Sequence, residues 1–554
     1  MRKSLIILGV AATSGVFVSA CSSPDKMIEA ASQIQTQCEP AVLEARADVI
    51  DARYTITFPA KYFHPKAIVE ITPVLVYEGG EEVAVSKWLQ GENVTENHTV
   101  IPKTGGNATQ AVQFTYKEGV EAAHLELRAK LHYKNKTTAF PVSLKLADGT
   151  IVTYKLVETD GVAVLAPDAY QKVYTETREA QIKYVINSAV VRPSELSKTD
   201  IKALESFLAE AEKDERKQTK GTDIIAYASP DGPLDLNTGL SSNRGKTAKD
   251  ALSKATKKIK EQGAINVSSI AEDWDGFRDM VAESSVPDKD LILRVLSMYT
   301  DPIVREREIK NMSKVYQILA DKVLPELRRA RVVTRIDVNN YTDAELRELV
   351  NQNNIEALDV EALLYAATLV EDNDARITLY AKAAEKFDDW RAYNNLAYAY
   401  LAASRTDDAK RALANITEEN DIVNTNNGVV ALREGRIADA ERLLISIATP
   451  EARASLGAIA IIKGNYADAG AKLANTGSFN EALVGVLGKD YDKASNILKN
   501  IDSAKGHYLN AVIAARKGNA SQVSGELQSA YAKDASLKGR AQKDIEFAKF
   551  RENI

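Results

Sequence analysis

Two periods of apolar residues divide the chain. Between Tyr54 and about Leu165 they recur at every second position: Leu125, Leu127, Ala129, Leu131 and Tyr133 alternate with Glu126, Arg128, Lys130 and His132, the pattern of a strand with one face in water. Residues 68–76, 112–116, 139–146 and 150–156 read likewise, separated by Gly79-Gly80, Gly105-Gly106 and Asp148-Gly149. This predicts a β-sandwich over residues 49–170. His124 and His132 then lie on a wet face, which predicts solvated rings. Such sandwiches serve as spacers, adhesins and docking modules alike, so the pattern fixes no function.

After Ser197 the spacing lengthens to that of helices. Ser197 is placed to cap a helix over 198–212 whose apolar stripe is Ile201, Leu204, Phe207 and Leu208. Strands are expected at 182–186 and 223–227, giving the order β-α-β. A long helix over about 235–261, a strand at 265–270 and a last strand at 331–337 complete a domain spanning 178–340, with a charged helical insertion at about 273–328.

Residues 345–554 are expected to be wholly helical, and they repeat. Tyr393-Asn394-Asn395-Leu396-Ala397 followed by Asp407-Asp408-Ala409 recurs as Gly428 with Ala438-Asp439-Ala440, then as Leu456-Gly457 with Ala467-Asp468-Ala469, and more weakly at Asp492-Lys493-Ala494. The spacing of about thirty residues suits a helix-turn-helix unit, with small residues where its two helices touch. The pattern resembles tetratricopeptide repeats, although the copies are shorter than that family's usual unit and several lack its large aromatics. The fold class expected for the whole chain is therefore multidomain α+β: sandwich, βαβ domain with insertion, and all-α solenoid.

The N-terminus adds an address. Met1-Arg2-Lys3, an apolar run from Leu5 to Val18 and then Ser19-Ala20-Cys21 have the proportions of a secretory signal over 1–20, too short for a membrane span. Val18-Ser19-Ala20-Cys21 resembles the lipobox of bacterial lipoproteins, which implies lipidation of Cys21 and a polar tether over 21–48. By that resemblance Ser22 implies outer-membrane sorting, and Ser23-Pro24-Asp25-Lys26 lacks the acidic cluster of surface export, so a periplasm-facing location is expected. Cys38 is the one other cysteine, which leaves neither a disulfide framework nor a cysteine metal site. The formal charge is −6, from 71 basic and 77 acidic residues mixed along the chain. No field for a nucleic acid arises.

One stretch carries chemical content. Asn237 to Leu252, NTGLSSNRGKTAKDAL, contains Gly245-Lys246-Thr247, the ending of a phosphate loop. The glycine that such a loop requires four spacers upstream is displaced, because five residues separate Gly239 from Gly245, and Pro230 and Pro233 punctuate the preceding turn. Asn237, Leu240, Ser241, Arg244, Gly245, Ala248 and Leu252 instead form a frame that resembles the signature of OmpA-like domains. Leu240, Ala248 and Leu252 share one helix face, with Ser241 and Arg244 towards the helix start. The resemblance implies peptidoglycan binding, in which this Arg and an Asp clamp the carboxylate and amine of the stem-peptide diamino acid. An Arg fork suits a carboxylate. The Asp falls on Ser229 here, in Ala226-Tyr227-Ala228-Ser229-Pro230-Asp231-Gly232, and Asp231 follows two residues later. Candidate peptidoglycan-binding residues are thus Arg244, Ser229, Asp231, Asn237 and Ser241. The competing structural role for Arg244 is a helix-surface salt bridge to Asp231 or Asp235.

Signals for an enzyme are thin. His64, His98, His124, His132 and His507 fall at no metal-ligand spacing, and neither a Gly-x-Ser-x-Gly nor a His-Glu-x-x-His motif occurs. Asp388-Asp389 and Asp407-Asp408 suit helix starts, and Trp274 and Trp390 suit packing. The expectation is a non-enzymatic outer-membrane lipoprotein without metal or cofactor. It would bind the peptidoglycan stem peptide through the OmpA-like domain and a periplasmic or outer-membrane protein through its repeats. The alternative keeps the architecture and drops the wall, making the chain an accessory subunit of an outer-membrane assembly, secretion or fimbrial complex.

Overall fold

A computed structural model describes residues 23–259 and 263–554; the signal and Cys21 lie outside them. The described residues form two compact units, residues 23–166 with 384–554, and residues 167–383.

The first unit begins with strands β1 (Gln35–Glu39), β2 (Val42–Arg46), β3 (Val49–Phe58), β4 (Ile68–Tyr77), β5 (Gly80–Val83), β6 (Lys87–Gly91), β7 (Thr99–Ile101), β8 (Gly106–Thr115), β9 (His124–Tyr133), β10 (Lys136–Ala139) and β11 (Leu144–Ile151). β8 runs antiparallel along the whole of β3, while β1 and β2 share the other edge of β3. β2 also pairs in parallel with β11, which continues through β9, β4, β6 and β7. Tyr54, Ile56 and Phe114 from one part meet Ile71, Leu75 and Leu125 from the other in a buried core. The expected tether over 21–48 is corrected, since β1 and β2 are built into the sheet. Gln35-Thr36-Gln37-Cys38-Glu39 shows no apolar alternation because neither of its faces is buried. Residues 150–156 do not form a separate strand either: β11 ends at Ile151 and Thr153–Leu156 makes a 3-10 turn. Gly149 packs against Leu43 with no room for a side chain, a Cβ falling 2.7 Å from the Leu43 Cβ. His132 is not simply solvated, since its ring lies 5.1 Å from that of Trp88 and Thr137 Oγ1 sits 3.0 Å from its Nδ1.

Five helical hairpins follow in this unit, Trp390–Ala402 with Thr406–Leu413, Asp421–Arg433 with Ile437–Leu444, Pro450–Ile462 with Tyr466–Leu473, Phe479–Leu487 with Tyr491–Leu498, and Ala504–Lys517 with Ala520–Lys533, and after them the helix Leu537–Lys543 and the 3-10 helix Ile545–Asn553. The repeated small residues fall where the two helices of a hairpin touch. A Cβ on Gly428 would lie 2.6 Å from Leu444, and one on Gly457 2.5 Å from Leu473, while Ala409, Ala440, Ala469 and Ala494 are fully buried. Sheet and hairpins share one core, in which Leu43 and Leu156 join Phe479, Tyr508 and Phe547. Arg46 Nε donates to the Gly464 carbonyl at 2.6 Å, and Thr153 Oγ1 to Glu546 at 2.6 Å.

The second unit is a four-stranded sheet of β12 (Val173–Lys183), β13 (Lys217–Tyr227), β14 (Ala264–Ile270) and β15 (Arg329–Asn339) in the order β12-β15-β13-β14. β13 and β14 are parallel, joined by the helix Leu234–Ala255; the other pairs are antiparallel. β12 starts well before the expected residue 182, because its first seven residues are mostly exposed and carry no buried face to read. Ser197 does not cap Thr199–Ala211; its hydroxyl donates to the Pro193 carbonyl at 3.3 Å. Helices Trp274–Glu283, Lys289–Met298, Pro302–Asn311, Ser313–Lys322 and Leu324–Leu327 occupy the insertion around a core of their own. Asp343–Asn351 and Val360–Leu369 belong to this unit, so the compact hairpin stack begins later than residue 345.

Candidate functional site

The sequence-predicted residues of the second unit converge on the turn that follows β13, but not as a carboxylate clamp. Asn237, in the first turn of Leu234–Ala255, donates through Nδ2 to the carbonyls of Ser229 (3.1 Å) and Gly232 (2.9 Å), fastening the turn onto the helix. Ser241 donates to the Thr238 carbonyl of its own helix at 3.2 Å. Arg244 lies in the third turn, only 1% exposed. Its Nη1 donates to the Tyr227 carbonyl at 2.9 Å, Nε to Ser188 at 3.0 Å and Nη2 to Val185 at 3.2 Å. The Tyr184 ring packs 5.2 Å from the guanidinium carbon, and its hydroxyl donates to the Arg244 carbonyl. Burial pulls the guanidinium down to about 10, so it stays charged at neutral pH. The expected helix-surface salt bridge is corrected: Arg244 is interior and bonded to main-chain carbonyls. A buried helix face pressed on two turns leaves carbonyls within reach and water excluded.

The carboxylate of Asp231 pairs instead with Arg328 at 3.1 Å. Ser229 Oγ donates to Asp231, and Arg328 Nε donates to Ser229 Oγ at 3.2 Å. Lys310, from the insertion, donates to the Asp231 carbonyl at 3.2 Å. Pro230 is buried beside Trp274, Phe277 and Tyr316. The turn is thus covered by the helices that follow it. Arg328 escaped the sequence reading because it stands at the end of the charged insertion, among other arginines.

A second constellation lies in the first unit, and the sequence reading missed its role. After the 3-10 turn, residues 157–166 take no regular structure. They run across the first helices of four hairpins and are held by asparagine amides. Glu158 N donates to Asn480 Oδ1 at 2.9 Å and its carbonyl accepts from Asn480 Nδ2 at 2.8 Å. Val164 N donates to Asn426 at 2.7 Å and its carbonyl accepts from Asn426 (2.8 Å) and Asn394 (3.1 Å). Ala166 N donates to Asn395 at 2.7 Å and its carbonyl accepts from Asn395 at 3.0 Å. Asn426 and Asn394 are linked at 2.8 Å, and Asn394 and Asn395 at 3.1 Å. Asn394, Asn395 and Asn426 are at most 1% exposed. Asn395, Asn426 and Ser455 each stand five residues into their helices, which is the one sequence signal that would have found them.

A cleft of about 750 Å³ opens elsewhere in this unit between Tyr116, Lys155, Arg540 and Asp544. Its charges are mixed, with Lys543 bridged to Glu78 at 2.7 Å. Among the described residues no group of three or more His, Cys, Asp or Glu is placed to hold a metal, and no helix is long and apolar enough to cross a membrane. Cys38 is a free, half-buried thiol in β1.

No family model matches the chain, and no curated protein does. Among solved structures, it is similar to a chain of the "Crystal structure of APC/C hetero-tetramer Cut9-Hcn1", at 14% identity and a TM-score of 0.30. The match covers 58% of this chain and 66% of that one, just under two thirds of its length. At that score the likeness carries no argument about function.

Proposed function

We propose that the chain is a non-enzymatic scaffold of a bacterial cell envelope, held in the outer membrane by lipid on Cys21 and facing the periplasm. Its hairpins dock protein partners, and its OmpA-like domain serves as a docking module rather than a wall anchor. The lipobox Val18-Ser19-Ala20-Cys21 supports the anchor, and the frame around Arg244 supports the OmpA-like reading. The observation that carries the choice against the wall is the bonding of Arg244. Its guanidinium is buried on three main-chain carbonyls, and Asp231 is engaged by Arg328, so neither charge is presented to a free amino acid. Buried charge that already has partners gains little from a ligand and loses those partners on rearrangement.

Sedimentation of the full chain with purified peptidoglycan tests the reading. The chain is expected to stay in the supernatant, while extraction from membranes in detergent yields it with stoichiometric protein partners. Saturable sedimentation of the unmutated chain overturns the docking reading and restores the wall anchor.

A further inference from the structure

The asparagine constellation has the chemistry of a receptor for extended main chain. An asparagine side chain offers one acceptor and two donors, so it pairs with both the N-H and the C=O of a single residue, as a neighbouring strand does. Three residues of the segment, Glu158, Val164 and Ala166, are held that way. Val164 and Ala166 are two apart, so their main-chain groups face one side, as in a strand. The segment runs against the order of the hairpins. Glu158 lies on the fourth, Gly161 between Val429 of the second and Ser455 of the third, and Ala166 on the first.

Burying asparagine in a helical core is costly unless both ends of the amide are paired. In a core needing only to be filled, an aliphatic residue serves better. Here the amides of Asn394, Asn395 and Asn426 are paired with the segment and with one another, so the segment completes the face. What is read is backbone. Val162 points outwards at 48% exposure, and the strict side-chain requirement falls at Gly161, whose φ of +64° and whose position, with a Cβ 2.9 Å from Val429, admit only glycine comfortably. The fit is also incomplete. Ser455 Oγ, on the same rung as Asn395 and Asn426, is buried without a hydrogen-bond partner. Arg433 spends its bonds on the carbonyls of Asp160 (2.6 Å) and Leu401 (2.8 Å).

We propose that this face is a binding site for an extended, glycine-containing peptide strand of a partner protein. Residues 157–166 occupy it as an internal competitor that the partner strand displaces. The proposal rests on the reading of the hairpins as a docking surface and names the place and the ligand. Recognition through main-chain pairs makes one strand exchangeable for another, and the internal copy, being tethered, keeps the site closed to weak ligands.

The test uses the full chain and a fluorescein-labelled peptide VETDGVAVLA, the sequence of residues 157–166. In the unmutated chain the internal segment competes. Gly161→Val, which puts a β-branched residue at positive φ against Val429, ejects it. Peptide binding measured by anisotropy is expected to tighten by about tenfold or more in Gly161→Val, as removal of a competing closed state requires, and to vanish when Asn426→Ala is added. Absence of binding to Gly161→Val, equal binding to both chains, or binding indifferent to Asn426→Ala overturns the proposal. Should Gly161→Val fail to fold by circular dichroism, the unmutated chain decides. Excess peptide is expected to speed hydrogen exchange at the Val164 and Ala166 amides while β3 and β9 stay protected, and unchanged exchange overturns the exchangeable strand. Partners that co-purify while the peptide fails leave the scaffold reading standing and remove this site alone.

Discussion

Arg244 in one unit and the asparagines in the other do the same local chemistry, with opposite consequences. Each is a polar side chain buried on a helix and bonded to main-chain groups. The carbonyls that Arg244 holds belong to the end of β13, at Tyr227, and to the turn that follows β12, at Val185 and Ser188. Those that Asn394, Asn395 and Asn426 hold belong to a segment without regular structure. The difference teaches that a buried side-chain-to-backbone bond is a rivet or a grip according to whether the backbone it holds is free to leave.

The sharpest way to break the contrast is to remove the rivet. Arg244→Met keeps the length but removes the donor from the buried Tyr227 carbonyl and from the part-buried carbonyls of Ser188 and Val185, the last of which keeps the Ser188 amide, at ~1–3 kcal/mol for each carbonyl left unpaired before relaxation. A net loss of about 3–4 kcal/mol is expected, near the top of the range for single substitutions. Loss of hydrogen-exchange protection across all of β13 checks this; a change confined to residues 185–188 returns Arg244 to the class of grips. A smaller effect is expected at the grip itself. Asn426→Ala removes two of the three bonds of Val164, leaving the one from Asn394, and costs about 1–2 kcal/mol, expressed as exchange on the order of tenfold faster at the Val164 amide, with β3 and β9 unaffected. Melting of the whole first unit would show the segment to be core and erase the distinction.

The smallest effect is a matter of pH. Burial raises the Glu158 carboxyl above the ordinary range, partly countered by Lys505. A carboxyl raised in the folded state costs stability wherever it is ionised. The cost is relieved as pH falls through the raised value and is absent below about 4.3, the ordinary glutamate value. Glu158→Gln is therefore expected to hold the segment more tightly than the unmutated chain at pH 7, with protection of the Glu158 amide region converging as pH falls to about 4. Curves that stay parallel over that range refute the buried carboxylate.

What was legible in the sequence follows the same division. Period-two strands such as 124–133 and the small residues Gly428 and Gly457 could be read, because each reports one buried face or one close helix contact. The frame around Arg244 located a helix and its sheet-facing residues Ala248 and Leu252. It did not show that the guanidinium is interior, since Val185 and Ser188, which bury it, lie some sixty positions earlier. β1 hid because an exposed polar edge strand has no pattern. The asparagines hid because, singly, each is an unremarkable polar residue of a helix. Their meaning lies in a shared position across repeats and in a partner segment more than two hundred residues away. Residues 150–165, read as the end of a sandwich, divide into the end of β11, a 3-10 turn and a segment without regular structure that is held by side chains rather than by a neighbouring strand.

The core that joins Leu43 to Phe547 brings together two lengths of chain separated by all of residues 167–383. On emergence from the ribosome the β-rich part waits for its helical half, while the intervening unit has every residue it needs long before. That imposes an order of maturation: the inserted unit first, the discontinuous one only after the last hairpins appear. Until then the apolar face of the 3-10 turn Thr153–Leu156 stands open, a window in which a chaperone has something to hold.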